Sequence, residues 1–218
     1  MSKELMSMDS GQRSDRKEKT KKAIIDAAFE LFSCNGIMMT TTQEIAKKAG
    51  ISHGLIFSYY PTRDILILTL IEDFGVRLVS RMNELSQPLG SLEQVLSSHL
   101  AVISENEALY ARLMHEGPTI PQTARSAYIV NLNSISGKIL SAIKREFDKN
   151  DMTDSKAQMW LRTWNGLILY YLLYRDFISP GMSVIDEKKE EMISFFMESL
   201  RSGTYETLPV VRKTHRTA

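Results

Sequence analysis

A single cysteine, Cys34, stands in the 218 residues, so no disulfide can close within the chain. Thiol scarcity of this kind suits a reducing cytoplasm, and Cys34 is expected to be a small packed residue rather than a redox sensor. Long apolar runs are missing too. The longest, Gly166 to Tyr174, is nine residues and ends at Arg175, far short of the ~20 that cross a bilayer. The opening residues MSKELMSMDSGQRSDRKEKTKK hold no apolar core, so no signal peptide is expected, and no membrane partner. Catalytic signatures are absent: there is no GxSxG, GxGxxG or P-loop. The four histidines, His53, His99, His115 and His215, lack metal-ligand spacing, and His115-Glu116 does not extend to HExxH. No catalytic residue, metal or cofactor is expected, and the chain does not read as an enzyme.

What remains is ordinary globular material, 43% hydrophobic and 24% charged, with an uneven distribution of charge. Between Arg13 and Arg63 nine Lys or Arg face five Asp or Glu; between Asp64 and Leu200 thirteen face eighteen. A basic amino-terminal module on an acidic body suits phosphate contact at one end only.

No segment alternates at period two, so the fold is expected to be all-α. Helical spacing predicts helices ending at Asn35-Gly36 and over 62–87, 91–104, 106–116, 121–149, 154–178 and 186–202. Breaks carry Pro88-Leu89-Gly90, Gly117-Pro118, Asn150-Asp151 and Ser179-Pro180-Gly181. In the first helix Ala23, Ala27, Ala28, Leu31 and Phe32 form the expected apolar stripe. The predicted organisation is a disordered polar tail over 1–15, a small helical domain over 16–62, a larger one over 63–202 and a flexible basic tail over 203–218.

Residues 40–66, TTTQEIAKKAGISHGLIFSYYPTRDIL, carry the most specific signal. Thr41 and Glu44 fit a capping box at a helix start. Ile45, Ala46 and Ala49 form an apolar stripe, and Gly50 is the residue that most easily closes a helix in the left-handed conformation. Ser52 is an N-cap for a second short helix, His53 to Tyr60, which Pro61 stops. Two short helices across a Gly-containing turn make a helix-turn-helix, whose second helix reads bases in the major groove.

These residues resemble the DNA-binding domain of the tetracycline-repressor (TetR) family of transcriptional regulators. The resemblance rests on AAFELF at 27–32, Gly36, Thr40 to Thr42, IAKKAGISHGLIFSYY at 45–60, and Arg63. It covers about a quarter of the chain. Phe57 stands where the family usually has a tyrosine, and Tyr60 replaces a usual phenylalanine, so its hydroxyl needs a partner. The family implies a three-helix DNA-binding domain followed by a six-helix ligand-binding and dimerisation domain. It implies a homodimeric regulator, more often a repressor, that binds a palindromic double-stranded DNA operator and is released by a small-molecule inducer.

Facing DNA in this reading are Thr42, Gln43, Ser52, His53, Gly54, Leu55, Phe57, Ser58 and Tyr59, while Ile45, Ala46, Ala49, Ile56 and Tyr60 point inward. Thr42 offers a hydroxyl and an amide to a phosphate. His53 offers a donor to guanine or phosphate, although a surface histidine is often incidental. Gly54 permits close approach to DNA or, equally, a packing contact. Phe57 has a face for a thymine methyl. By resemblance, Tyr59 contacts the backbone and Arg63 takes the place of a phosphate-binding lysine. Lys47 and Lys48 add general positive potential.

The larger domain offers Tyr110, Met114, His115, Tyr128, Asn131, Trp160 and Trp164 as candidates for a largely apolar inducer pocket, on composition and rough position. Trp160 and Trp164, spaced with Leu167, Tyr171 and Tyr174, read first as core. By resemblance, the last two long helices, through Leu169, Leu173, Phe195, Phe196 and Leu200 with Gly166 permitting close approach, would form the dimer interface. The alternative is a helical small-molecule-binding or protein-interaction module that has lost DNA binding.

Overall fold

The computed structural model describes residues 2–147 and 152–202, and among them the chain is all helical. The elements are α1 (Ser2–Asn35), α2 (Thr42–Lys48), α3 (His53–Tyr59), α4 (Arg63–Leu85) and α5 (Leu92–Ser104). They continue with α6 (Glu107–Glu116), α7 (Gln122–Phe147), α8 (Asp154–Leu173), α9 (Arg175–Ile178) and α10 (Val184–Ser202). The tail expected over 203–218 lies outside the described residues.

Two predicted boundaries are corrected. Residues 2–15, expected within an irregular tail, lie in α1, which begins at Ser2. Apart from Gly11 that segment is free of strong breakers, and its Lys, Glu, Met, Arg and Gln extend an established helix at little cost. The run expected over 154–178 is split at Tyr174, which ends α8 and starts α9 with φ −104° and ψ 15°. Its carbonyl accepts the amides of Phe177 and Ile178 at 3.0 and 2.9 Å, closing one extra turn. Pro180 cannot donate to a continuing helix, and Gly181 turns the chain at φ +78°.

The apolar stripe of α1 is rotated from its predicted register. In α1 the buried residues are Ile24, Ile25, Ala27, Ala28 and Phe32, with Leu31 half-buried and Ala23 exposed. The isoleucines remove more apolar surface from water than Ala23 would. In α4 Leu66, Ile67, Leu70, Ile71, Phe74, Leu78 and Met82 are buried, while Ile65 and Val76 face out. This stripe packs chiefly on α7, and at Gly75 the two helices close completely. A Cβ there would fall 1.7 Å from Asn131 Nδ2, which donates to the Ile71 carbonyl at 3.1 Å.

The body of the molecule is held by a continuous apolar core with a few polar anchors in it. Glu107 on α6 is buried and fastens the start of α10. Its carboxylate accepts the Ser183 hydroxyl at 2.6 Å and the amides of Val184 and Ile185 at 3.3 and 3.2 Å. Trp164 Nε1 donates to His99 Nδ1 at 3.0 Å between α8 and α5. Burial pushes the His99 imidazole down to about 4, so it stays neutral and able to accept.

Two links besides α4 join the amino-terminal helices to this body. Arg112 Nη2 donates to the Cys34 carbonyl at 2.8 Å, and Glu116 Oε2 accepts the Met38 amide at 2.8 Å. Both come from α6, which also packs along α1. Gly36, at φ +95°, leaves the Glu116 carboxylate room, since a Cβ there would lie 2.6 Å from Oε1.

Candidate nucleic-acid interface

Local chemistry builds the two short helices. The Thr41 amide donates to Glu44 Oε2 at 2.7 Å, and the Glu44 amide donates to Thr41 Oγ1 at 3.2 Å, completing the capping box. These bonds to Thr41 hold the Glu44 carboxyl below its usual range. After Ala49 the Gly50 amide reaches the Lys47 carbonyl at 3.2 Å and the Ile51 amide reaches Ala46 at 3.0 Å. That paired closure requires a left-handed residue, and Gly50 supplies it at φ +69°. Ser52 then starts α3 in extended conformation without a side-chain cap, leaving its hydroxyl uncommitted to the helix.

Helix α3 buries Ile56 alone. Ile45, Ala46 and Tyr60 complete the local core, with Ala49 and Tyr59 half-buried against it. The Tyr60 hydroxyl finds its partner in the Lys21 carbonyl of α1, at 3.4 Å. Burial, then the charges of Asp73 and Glu18, push that phenol up to about 12. Gln43, Ser52, His53, Gly54, Leu55, Phe57 and Ser58 are all exposed, as are Lys47 and Lys48.

Two contacts organise the exposed face. Thr42 Oγ1 and His53 Nε2 lie 3.0 Å apart, tying α2 to α3. The His53 and Phe57 rings meet edge to face at 5.3 Å, so Phe57 carries its apolar face alongside a hydrogen-bonding ring. Gly54 has no atom within 4 Å of a Cβ position, so this glycine fills no packing contact within the chain. Arg63 is half-buried and its Nη2 donates to the carbonyls of Ile37, Met38 and Thr40 at 2.5, 3.3 and 3.3 Å. It therefore clamps the α1–α2 loop to the start of α4 as well as standing near the interface. Lys48 pairs with Glu30 at 2.5 Å.

Beside α3 runs a groove of about 790 Å³ bounded on its far side by α1. Arg16, Lys17 and Thr20 line one wall, and Ser52, Leu55, Ser58 and Tyr59 the other. The α1 residues escaped the sequence reading because nothing local places them opposite the reading helix; the basic run Arg16 to Lys22 was the available signal.

The candidate inducer residues sort into separate places. Tyr110 and Tyr128 are buried, and neither hydroxyl has a partner among the described residues. Burial raises both phenols, with Tyr128 adding to the effect on Tyr110. Trp160 and Trp164 pack on Phe196 at ring distances of 5.8 and 5.1 Å, in the core between α8 and α10. Asn131 is taken up by α4, Met114 is half-buried against the core, and His115 is exposed beside Arg112 and Asp176. Phe196 and Leu200 are buried in their own chain rather than presented to a partner, because α10 turns that face onto α8 and α5.

The sequence pattern of the bacterial regulatory proteins of the tetR family matches residues 24–70, from the middle of α1 into α4. An HTH-type transcriptional repressor of Mycobacterium tuberculosis is 30% identical over 88 residues, 40% of this chain and 46% of that protein. The fatty acid metabolism regulator protein of Bacillus subtilis is 27% identical over 90 residues, 39% of this chain and 46% of that protein. The chain thus spans about half the length of these curated relatives. Among solved structures, FadR of Bacillus subtilis in complex with stearoyl-CoA superposes with a TM-score of 0.66 at 17% identity, covering 80% of this chain and 96% of that one. Salmonella enterica GusR gives 0.63 at 19% identity, covering 84% and 94%. Residues 24–70 thus carry a helix-turn-helix similar to that of the bacterial regulatory proteins of the tetR family, on a fold that most of the chain shares with these solved structures.

Proposed function

We propose that the chain binds a palindromic duplex DNA operator as a homodimer, as a repressor, and is released when a largely apolar small molecule enters the body. The observation that carries this reading is α3. Seven residues long with one buried side chain, it holds His53, Gly54, Phe57 and Ser58 outward on a helix fixed from below by Ile56. Thr42, Gln43, Lys47, Lys48, Ser52 and Tyr59 flank that face, and Arg63 sits at its edge. His53 and Ser58 offer hydrogen bonds to base edges or phosphate, and Phe57 an apolar contact to a thymine methyl.

Dimerisation is supported by large apolar side chains left exposed on the last three helices. Leu169, Tyr170 and Leu173 on α8, Phe177 on α9 and Phe195 on α10 are all exposed, Phe177 by 86%. An apolar surface of this kind marks a protein contact. Gly166, with nothing within 4 Å of a Cβ position, lets a partner helix approach.

For the inducer, the partnerless hydroxyls of Tyr110 and Tyr128 are polar groups that a ligand would satisfy amid apolar surroundings. The stearoyl-CoA held by FadR supports a long apolar ligand on this fold. Such a ligand shifts DNA affinity only by preferring one arrangement of the reading helices. The routes available are α4, whose first residue Arg63 grips the α1–α2 loop, and α6, through Arg112 and Glu116.

Selection from a pool of random duplexes tests this. One enriched palindrome is expected. Tyr59→Ala should weaken binding to it while leaving the fold intact, and a pool with no enrichment contradicts the reading.

A further inference from the structure

We propose that the groove between α1 and α3 is a seat for the sugar–phosphate backbone of the duplex, with Arg16 and Lys17 of α1 as phosphate contacts. This rests on the DNA-binding reading above and adds α1 to the elements that touch DNA.

Position in the groove together with charge pairing singles out these two side chains. Of the other basic residues of the small domain, Lys21 pairs with Glu18 at 3.0 Å, Lys22 with Asp26 at 2.6 Å and Lys48 with Glu30 at 2.5 Å, while Lys19 and Lys47 do not line the groove. Arg16 and Lys17 are exposed and have no carboxylate within ion-pair distance among the described residues. No acidic residue lines their groove, although Asp15 and Glu18 are neighbours in sequence. The next groove along α1 is different, since Glu18 and Asp73 share it with Lys21, Lys22 and Arg77.

Geometry agrees with the charge. Arg16, Lys17 and Thr20 fall at positions i, i+1 and i+4, one side of a helix. The Thr20 hydroxyl turns back to the Arg16 carbonyl at 2.9 Å, which leaves the two cations as the polar groups of that wall. Opposite them stand Ser52, Ser58 and Tyr59, hydroxyl donors on the reading helix and its cap. A helix seated in the major groove has a phosphate strand along each side, and a channel with cations on one wall and hydroxyls on the other fits one of them. Backbone contacts of this type position the protein without reading sequence.

The test is the salt dependence of binding by the full chain, using the duplex enriched by selection and a scrambled duplex of equal length. Each lost phosphate contact removes about 0.9 from the slope of log K against log salt. The double substitution Arg16→Gln and Lys17→Gln should therefore lower the slope by about 1.8 and weaken binding roughly thirtyfold at 0.15 M salt. Both duplexes should lose alike, with the base preference unchanged. Lys22→Gln, which removes a paired lysine outside the groove, should leave the slope as it was. Wild-type slope in the double variant, or a loss confined to the selected duplex, overturns the assignment while the DNA-binding reading stands. A wild-type chain that binds neither duplex overturns both.

Discussion

Helices α3 and α8 use aromatic side chains in opposite ways. In α3, Phe57 is 39% exposed and shares an edge-to-face contact with His53 on the outer surface. In α8, Trp164 is fully buried, with its indole bound to His99 and its ring against Phe196. The first helix contributes one side chain to the core; the second contributes Ala157, Trp160, Leu161, Trp164, Ile168 and Leu172. A short helix held by its neighbours leaves nearly every residue free for recognition. A long one spends its identity on packing, and keeps only one side for a partner. Substitutions should therefore separate cleanly, with those in α3 altering binding and those in α8 altering stability.

The largest effect is expected at Trp164. Its replacement by alanine opens a large cavity and strands His99 without its donor, lowering the free energy of unfolding by about 3–5 kcal/mol in urea titration. Phe57→Ala should stay within about 0.5 kcal/mol of wild type in the same assay. Equal losses at the two positions would erase the contrast.

The His99 pair gives the body a pH dependence of its own. The unfolded imidazole takes up its proton near 6.5, the folded one only near 4. Stability from this group is thus fully present above about pH 6.5 and is lost as the pH falls toward 4, by about 3 kcal/mol. Urea midpoints measured across that range should decline, and His99→Gln should flatten the decline. A smaller effect belongs to the head of the molecule. Thr41→Ala removes the capping box of α2 and should cost about 1 kcal/mol, read as a lowered melting temperature.

Legibility in the sequence followed the same division. The capping box of Thr41 and Glu44, the turn at Gly50 and the inward set Ile45, Ala46, Ile56 and Tyr60 lie within twenty residues of one another, so spacing alone located them. In α4 the run Ile65-Leu66-Ile67-Leu68 is apolar at every step, and its register had to come from α7. Trp160 and Trp164 were weighed as core or pocket, and their burial against Phe196 of α10 could not be read from spacing within α8. The links from Arg112 to Cys34 and from Glu116 to Met38 join residues 78 apart, with no local trace. The α1 wall of the groove beside α3 was hidden for the same reason: Arg16 and Ser52 become neighbours only when the three helices close.

The central claim is that α3 enters the major groove in matched pairs. Footprinting of the full chain on its selected duplex, with the number of chains per duplex measured by light scattering, tests it most directly. Two protected half-sites about one helical turn apart, ~34–36 Å, with protein bound in even numbers, are expected. A single protected half-site occupied by one chain would contradict the account.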